Sequence, residues 1–155
     1  MPTGAGVGAG PFHSQSNEAW FFHVPGLKVI YPSCPSDAKG LLTAAINDPN
    51  PVLFFEHKVL YRMTELEEDV YDDYYMLEIG KAKTVQAGEE LSIITYGAAV
   101  HWAVAACKEM QIDADIIDLR TLLPWDKEAV EASAKKTGKV LVLHEDTLTG
   151  GIGAE

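Results

Sequence analysis

Two periods alternate along the chain. Leu27-Lys28-Val29-Ile30-Tyr31 and Val52-Leu53-Phe54-Phe55 are short, nearly continuous apolar runs of strand type. Between them Ala38, Leu41, Leu42, Ala45 and Ile46 recur at helical spacing. Ser36 offers that helix a cap, and Pro49 and Pro51 end it, because proline lacks the amide and clashes with the preceding turn. Strand, helix and strand in so short a stretch predict a parallel crossover. Upstream, Ser16-Asn17-Glu18 opens a short helix over Ala19-Trp20-Phe21-Phe22, stopped by Pro25-Gly26.

Over residues 64–78 the periodicity is lost. Glu65, Glu67, Glu68, Asp69, Asp72, Asp73 and Glu78 interleave with Tyr71, Tyr74 and Tyr75, the pattern of a linker. Beyond it, Lys81 to Val85 and Leu91 to Thr95 read as strands around an Ala87-Gly88 turn. A helix follows over Ala98 to Met110, then a strand over Ala114 to Leu119, and Asp126 caps a helix to Lys136 that Gly138 ends. Lys139 to His144 is almost unbroken apolar sequence, which predicts a strand covered on both faces.

Alternation of this kind predicts an α/β protein with parallel, doubly wound sheets. Residues 1–62 are expected to be the end of one such domain, 63–79 an acidic linker, and 80–155 most of a second domain. The glycines at 4, 6, 8 and 10 cannot start a fold unsupported, and Gly150-Gly151-Ile152-Gly153 leads toward a helix the sequence does not supply, so both ends read as cut.

Composition narrows the function. Twelve Lys and Arg against 23 Asp and Glu give a net charge of −11, the wrong sign for a nucleic-acid binder or an anionic membrane surface. No run approaches the roughly 20 apolar residues of a membrane helix. Cys34 and Cys107 lack the close pairing of zinc or thioredoxin-like sites, and free thiols in a reducing compartment are expected, cytoplasmic in a bacterium or an organelle matrix in a eukaryote.

The glycine tract satisfies a relaxed dinucleotide fingerprint, but no strand precedes it and Pro11 interrupts the helix that should follow. More informative is Pro11-Phe12-His13-Ser14-Gln15-Ser16, where a histidine sits between hydroxyls and an amide in a loop before a helix. An imidazole there could move a proton near neutral pH; a surface loop that merely caps the helix is the alternative. Ser14 beside His13 is no evidence for a nucleophilic dyad, because triad members meet through the fold. Asp48 and Asn50 lie in a proline-stiffened loop after a helix, where free carbonyls could hold a hard cation.

Several motifs in one order resemble the beta subunit of thiamine-diphosphate-dependent 2-oxo acid dehydrogenases. They are Gly10-Pro11-Phe12-His13-Ser14-Gln15-Ser16-x-Glu18-Ala19-Trp20, Pro25-Gly26-Leu27-Lys28-Val29, Asp37-Ala38-Lys39-Gly40-Leu41-Leu42, Asp48-x-Asn50-Pro51, Leu60-Tyr61-Arg62, Thr95-Tyr96-Gly97, Ile117-Asp118-Leu119-Arg120-Thr121-Leu122 and His144-Glu145-Asp146-x-x-x-Gly150-Gly151. Within the family the sequence is most similar to the branched-chain, or 2-oxoisovalerate, type, with pyruvate enzymes sharing most of the pattern.

The resemblance implies the end of a thiamine-diphosphate-type pyrimidine-binding domain joined to a transketolase C-terminal-like domain. It also implies decarboxylation of a 2-oxo acid and transfer of the acyl group to a lipoyl arm of the dihydrolipoyl acyltransferase core. His13 matches the family's active-site histidine, which hydrogen-bonds the substrate and assists proton transfer, with Ser14 and Gln15 supporting it. Ala45, Asp48 and Asn50 match a structural potassium loop. The glutamate that activates the cofactor and the magnesium-diphosphate motif are absent, so an alpha subunit or alpha-like half is expected as partner in a homo- or hetero-oligomer, and the piece alone is expected to be inactive. The acidic surplus is expected to help dock a basic segment of the acyltransferase.

Overall fold

The computed structural model describes residues 1–155. The extended start forms β1 (Pro2–Thr3), followed by a 3₁₀ turn at Ala5–Val7 and another at Glu18–Phe21. The second is only one turn where the sequence predicts a longer helix. The apolar runs form β2 (Lys28–Ile30) and β3 (Val52–Phe54), joined by α1 (Pro35–Asn47) and followed by β4 (Glu56–His57). The second half carries β5 (Lys83–Gln86), β6 (Leu91–Thr95), α2 (Ala98–Met110), β7 (Ala114–Asp118), β8 (Thr121–Leu123), α3 (Lys127–Thr137) and β9 (Val140–Val142).

Three sheets result, with strand orders β1-β4, β3-β2-β8 and β5-β7-β6-β9. The crossovers are parallel as the pattern predicts: β2 pairs β3 and β6 pairs both β7 and β9 in parallel. Each of the two larger sheets also carries one antiparallel strand, β8 on β2 and β5 on β7, so the sheets are mixed. β8 comes from the second half yet pairs in the sheet of the first. Accordingly one core spans both halves, built from Val29, Tyr31 and Phe55 with Ile94, Tyr96, Ile117, Leu119 and Leu122. Burying each such side chain is worth roughly 1.5–3 kcal/mol, which holds the halves in one arrangement.

Polar contacts fix the same junction. Arg120 donates from Nη1 to Asp37 on α1 at 3.2 Å and from Nε and Nη2 to the Lys81 carbonyl at 3.1 and 2.9 Å. Lys83 reaches the other Asp37 oxygen at 3.2 Å.

Local chemistry accounts for most helix ends. Asp126 accepts the Ala129 amide at 3.2 Å, and Gly138 closes α3 in the left-handed conformation. Two expectations are corrected. Ser36 does not cap α1: it lies inside the helix, Cys34 occupies the cap position without a side-chain cap bond, and the Ser36 amide donates instead to Glu68 at 2.7 Å. β9 is not covered on both faces. It lies at the sheet edge with Val140, Leu141 and Val142 half exposed.

After a 3₁₀ turn at Thr64–Leu66, the acidic stretch runs as a strap along α1. The Leu77 amide donates to the Gly40 carbonyl at 3.1 Å, and the Tyr75 hydroxyl to that of Ser36 at 2.7 Å. A Cβ at Gly40 would lie 2.6 Å from the Tyr75 ring and 2.7 Å from Leu77, so only glycine admits the strap this close. No helix is long and apolar enough to cross a membrane.

Candidate functional site

The stretch that carries His13 is a loop pinned at its base. Thr3 pairs with His57 between β1 and β4, and the Thr3 hydroxyl and Gly4 amide both donate to the Gln15 carbonyl, at 3.1 and 3.0 Å. Ser14 accepts the Ala9 amide at 2.6 Å, and Gln15 donates from Nε2 to the Pro11 carbonyl at 2.6 Å. Ser14 and Gln15 therefore shape the loop's backbone and make no hydrogen bond to the His13 ring. His13 itself is exposed, its ring without a hydrogen-bond partner in this chain, beside a Phe12 that is 89% exposed.

Beside this loop, and against the C-terminal motif, is a polar cleft of about 490 Å³ lined by Ser14, Gln15, Ser16, Trp20, His23, Glu145 and Asp146 among others. Its floor is organised by Glu145. One carboxylate oxygen accepts the Ala5 amide at 3.1 Å, the Ser16 hydroxyl at 3.1 Å and the His57 ring at 2.9 Å; the other accepts the Gly6 amide at 2.9 Å. Burial pushes the Glu145 carboxyl up, but the His57 ring and the Gly6 and Ala5 amides outweigh it and hold the group below its ordinary range. His57 is buried and takes the Val59 amide on Nδ1 at 3.3 Å, which leaves Nε2–H to donate to Glu145.

Deeper in the same junction lies Glu18, only 1% exposed. The Tyr96 hydroxyl donates to its Oε1 at 2.9 Å, while Oε2 has no partner. Burial raises the carboxyl to about 7, with Asp146 and Glu145 adding repulsion. Tyr96 in turn stacks on His144, and Asp146 accepts the Ala19 amide at 3.3 Å.

The remaining sequence candidates fall elsewhere. Ala45, Asp48 and Asn50 sit at the C-terminal end of α1, remote in sequence from the His13 loop. The Ala45 carbonyl accepts the Asp48 amide at 3.4 Å, and the Asp48 carboxylate pairs with Lys28 and accepts both Asn50 N–H donors, at 2.9 and 3.0 Å. The Lys28 ammonium and the Asn50 donors hold Asp48 below the usual carboxylate range. The Asp48 carboxylate is engaged within the chain, so it does not fit a cation held on it; main-chain oxygens and Asn50 Oδ1 remain for one. No three His, Cys, Asp or Glu side chains converge as a metal site. His101 and His144 each have a partner, the Ser33 and Asp146 carbonyls at 2.8 and 3.1 Å.

Residue type and spacing do not reveal Glu18, Ser16 or His57 as parts of one junction. Glu145 stands out only as a member of the His144-Glu145-Asp146 motif.

Comparison with known proteins gives two domain matches. Residues 1–64 match the transketolase pyrimidine binding domain and residues 80–155 the transketolase C-terminal domain. The 2-oxoisovalerate dehydrogenase subunit beta of Bacillus subtilis (strain 168) is 50% identical over 99% of this chain and 47% of its own length. The mitochondrial 2-oxoisovalerate dehydrogenase subunit beta 2 of Arabidopsis thaliana is 48% identical over 99% of this chain and 43% of its own. The pyruvate dehydrogenase E1 component subunit beta of Bacillus subtilis is 44% identical over 99% and 47%. The chain thus spans less than half the length of these relatives. A solved structure, a split gene transketolase as an inactive beta4 tetramer, superposes with a TM-score of 0.77 over 98% of this chain and 49% of that one, at 23% identity, which speaks to the fold alone. With both domain models matched in order and beta subunits of 2-oxo acid dehydrogenases as its relatives, the chain belongs to the transketolase pyrimidine binding and C-terminal domain families.

Proposed function

We propose that this chain forms part of the beta component of a 2-oxo acid dehydrogenase of the 2-oxoisovalerate type, which decarboxylates the 2-oxo acid and passes the acyl group to a lipoyl arm of the dihydrolipoyl acyltransferase core. The observation that carries the reading is the His13 ring, free of partners in its own chain and presented to the exterior by a loop whose base is hydrogen-bonded shut. A histidine that served only to cap a helix would spend its ring nitrogens on nearby amides. This one keeps both for a group brought by another polypeptide.

The residues present fit one side of a thiamine diphosphate site. They offer an imidazole and a polar cleft, and no cluster for the diphosphate or its magnesium, which are assigned to an alpha subunit or alpha-like half. When bound, the cofactor supplies the electron sink for loss of carbon dioxide. His13 orients the substrate by hydrogen bonding and carries a proton on a ring nitrogen toward the acyl acceptor, a contribution typically worth roughly 10² to 10⁴ in rate. Ser14 and Gln15 hold the loop that carries it.

Identity of 44% to a pyruvate dehydrogenase beta subunit supports a second reading in which pyruvate is the substrate. The net charge of −11 supports a third, a docking role for a basic segment of the acyltransferase without catalysis. Turnover separates them. The full-length protein, assembled with its alpha subunit, thiamine diphosphate and magnesium, is expected to show at least a 10-fold higher kcat/KM for 2-oxoisovalerate than for pyruvate, on the order of the discrimination an apolar pocket achieves. The reverse preference selects pyruvate, and turnover of neither refutes the catalytic reading.

A further inference from the structure

Glu145 belongs to the second half of the chain and has no part in the reaction as proposed, yet its bonds converge on the loop that carries His13. The Ala5 and Gly6 amides lie where the chain enters that loop, and Ser16 lies where it leaves. A single carboxylate thus ties both stems, and His57 holds the carboxylate from behind at 2.9 Å. Between the stems the loop makes only the internal bonds from the Gly8, Ala9 and His13 amides and Gln15 Nε2, together with the two bonds from Thr3 and Gly4 to the Gln15 carbonyl. The space is equally specific: a Cβ at Gly6 would stand 3.3 Å from a Glu145 oxygen, and one at Gly4 2.7 Å from the His57 ring.

We propose that Glu145 is a positioning residue for His13, clamping the two stems of its loop so that the placement of the second domain fixes where the imidazole is presented. The inference rests on the reading of His13 given above and adds to it the residue that sets its geometry. The physical basis is the sensitivity of catalysis to placement: a displacement of about 1 Å at a reacting group costs on the order of 100-fold in rate. Because the Gln15 carbonyl bonds remain when Glu145 is changed, the loop loosens without coming free, and a loss of about 10-fold is expected. The loss falls on kcat, with KM changed by less than about 2-fold, since a loosened His13 weakens the transition state more than substrate binding.

A double-mutant cycle in the assembled holoenzyme tests this, using Glu145→Gln, His13→Ala and the pair together. Glu145→Gln is expected to lower kcat about 10-fold on its own and to have no further effect, within about 2-fold, once His13 is alanine. Deuterium exchange over residues 4–16 gives a readout independent of turnover, and the substitution is expected to speed exchange at the Ala5 and Gly6 amides. Should Glu145→Gln fail to assemble, Ser16→Ala, which removes one stem bond only, is expected to give a smaller loss of about 3-fold, again absent in the His13→Ala background. Multiplying losses would overturn the positioning role while leaving the function intact. Normal turnover of His13→Ala alone would overturn the functional reading instead, so the two failures are distinguishable.

Discussion

Replacing Glu18 by glutamine changes how stability depends on pH, by an amount the site allows to be worked out. Glu18 is buried with Oε2 unpartnered, and burial lifts its carboxyl from an ordinary 4.5 to about 7. The folded state therefore binds this proton more tightly than the unfolded state does. The sign follows: the contribution is fully present below pH 4.5 and is lost as pH rises through 7. Each pH unit between those two values is worth about 1.4 kcal/mol, so the wild type loses about 2–3 kcal/mol between pH 5 and pH 8 from this group alone. Glutamine cannot ionise, and its Oε1 can still accept from Tyr96. Asp118, fully buried and also raised to about 7 by burial, contributes with the same sign in both proteins and cancels in the comparison. Urea midpoints measured from pH 5 to pH 8 check this: the curve of Glu18→Gln is expected to be flatter, with the two proteins diverging by about 2–3 kcal/mol at the alkaline end. Parallel curves would refute the assignment of a protonated, buried Glu18.

Two further substitutions probe the junction that supports the site. Gly4 has φ +113°, and a Cβ there would meet the His57 ring at 2.7 Å, so Gly4→Ala is expected to destabilise by about 1–3 kcal/mol, read as a lowered Tm. Arg120→Ala leaves the buried Asp37 with only Lys83 and strips three bonds from the Lys81 and Ala82 carbonyls, and a loss of about 3 kcal/mol in denaturant unfolding is expected. An unchanged Tm for Gly4→Ala would refute the tight fit against His57, and an unchanged midpoint for Arg120→Ala would show that the Arg120–Asp37 contact does not hold the halves together.

How far the sequence discloses this molecule depends on whether the determinant is local. α2 and α3 are legible because their periodicity, the Asp126 cap and the Gly138 stop all lie within the helix or next to it. The start of α1 is misjudged from sequence because the group that bonds the Ser36 amide is Glu68, thirty-two residues on. β8 is not foreseen: it has only three residues, and its partner β2 belongs to the other half. β9 reads as buried because an apolar run does not say whether anything covers it. The same divide applies to the site. The His13 loop announces itself by a polar cluster that no core requires, whereas the junction of Glu145 with Ala5, Gly6, Ser16 and His57 exists only once residues up to 140 positions apart are brought together.

The central claim is that the exposed imidazole of His13 meets a cofactor carried by another chain. The direct test is single-turnover acyl transfer from 2-oxoisovalerate to a lipoylated domain by the assembled holoenzyme, comparing wild type with His13→Ala. The rate is expected to fall at least about 100-fold, at the lower limit of what a positioned acid–base group supplies, while Tm stays the same because the ring makes no hydrogen bond within its own chain. Transfer at the wild-type rate would contradict the account and leave His13 an ordinary residue of a surface loop.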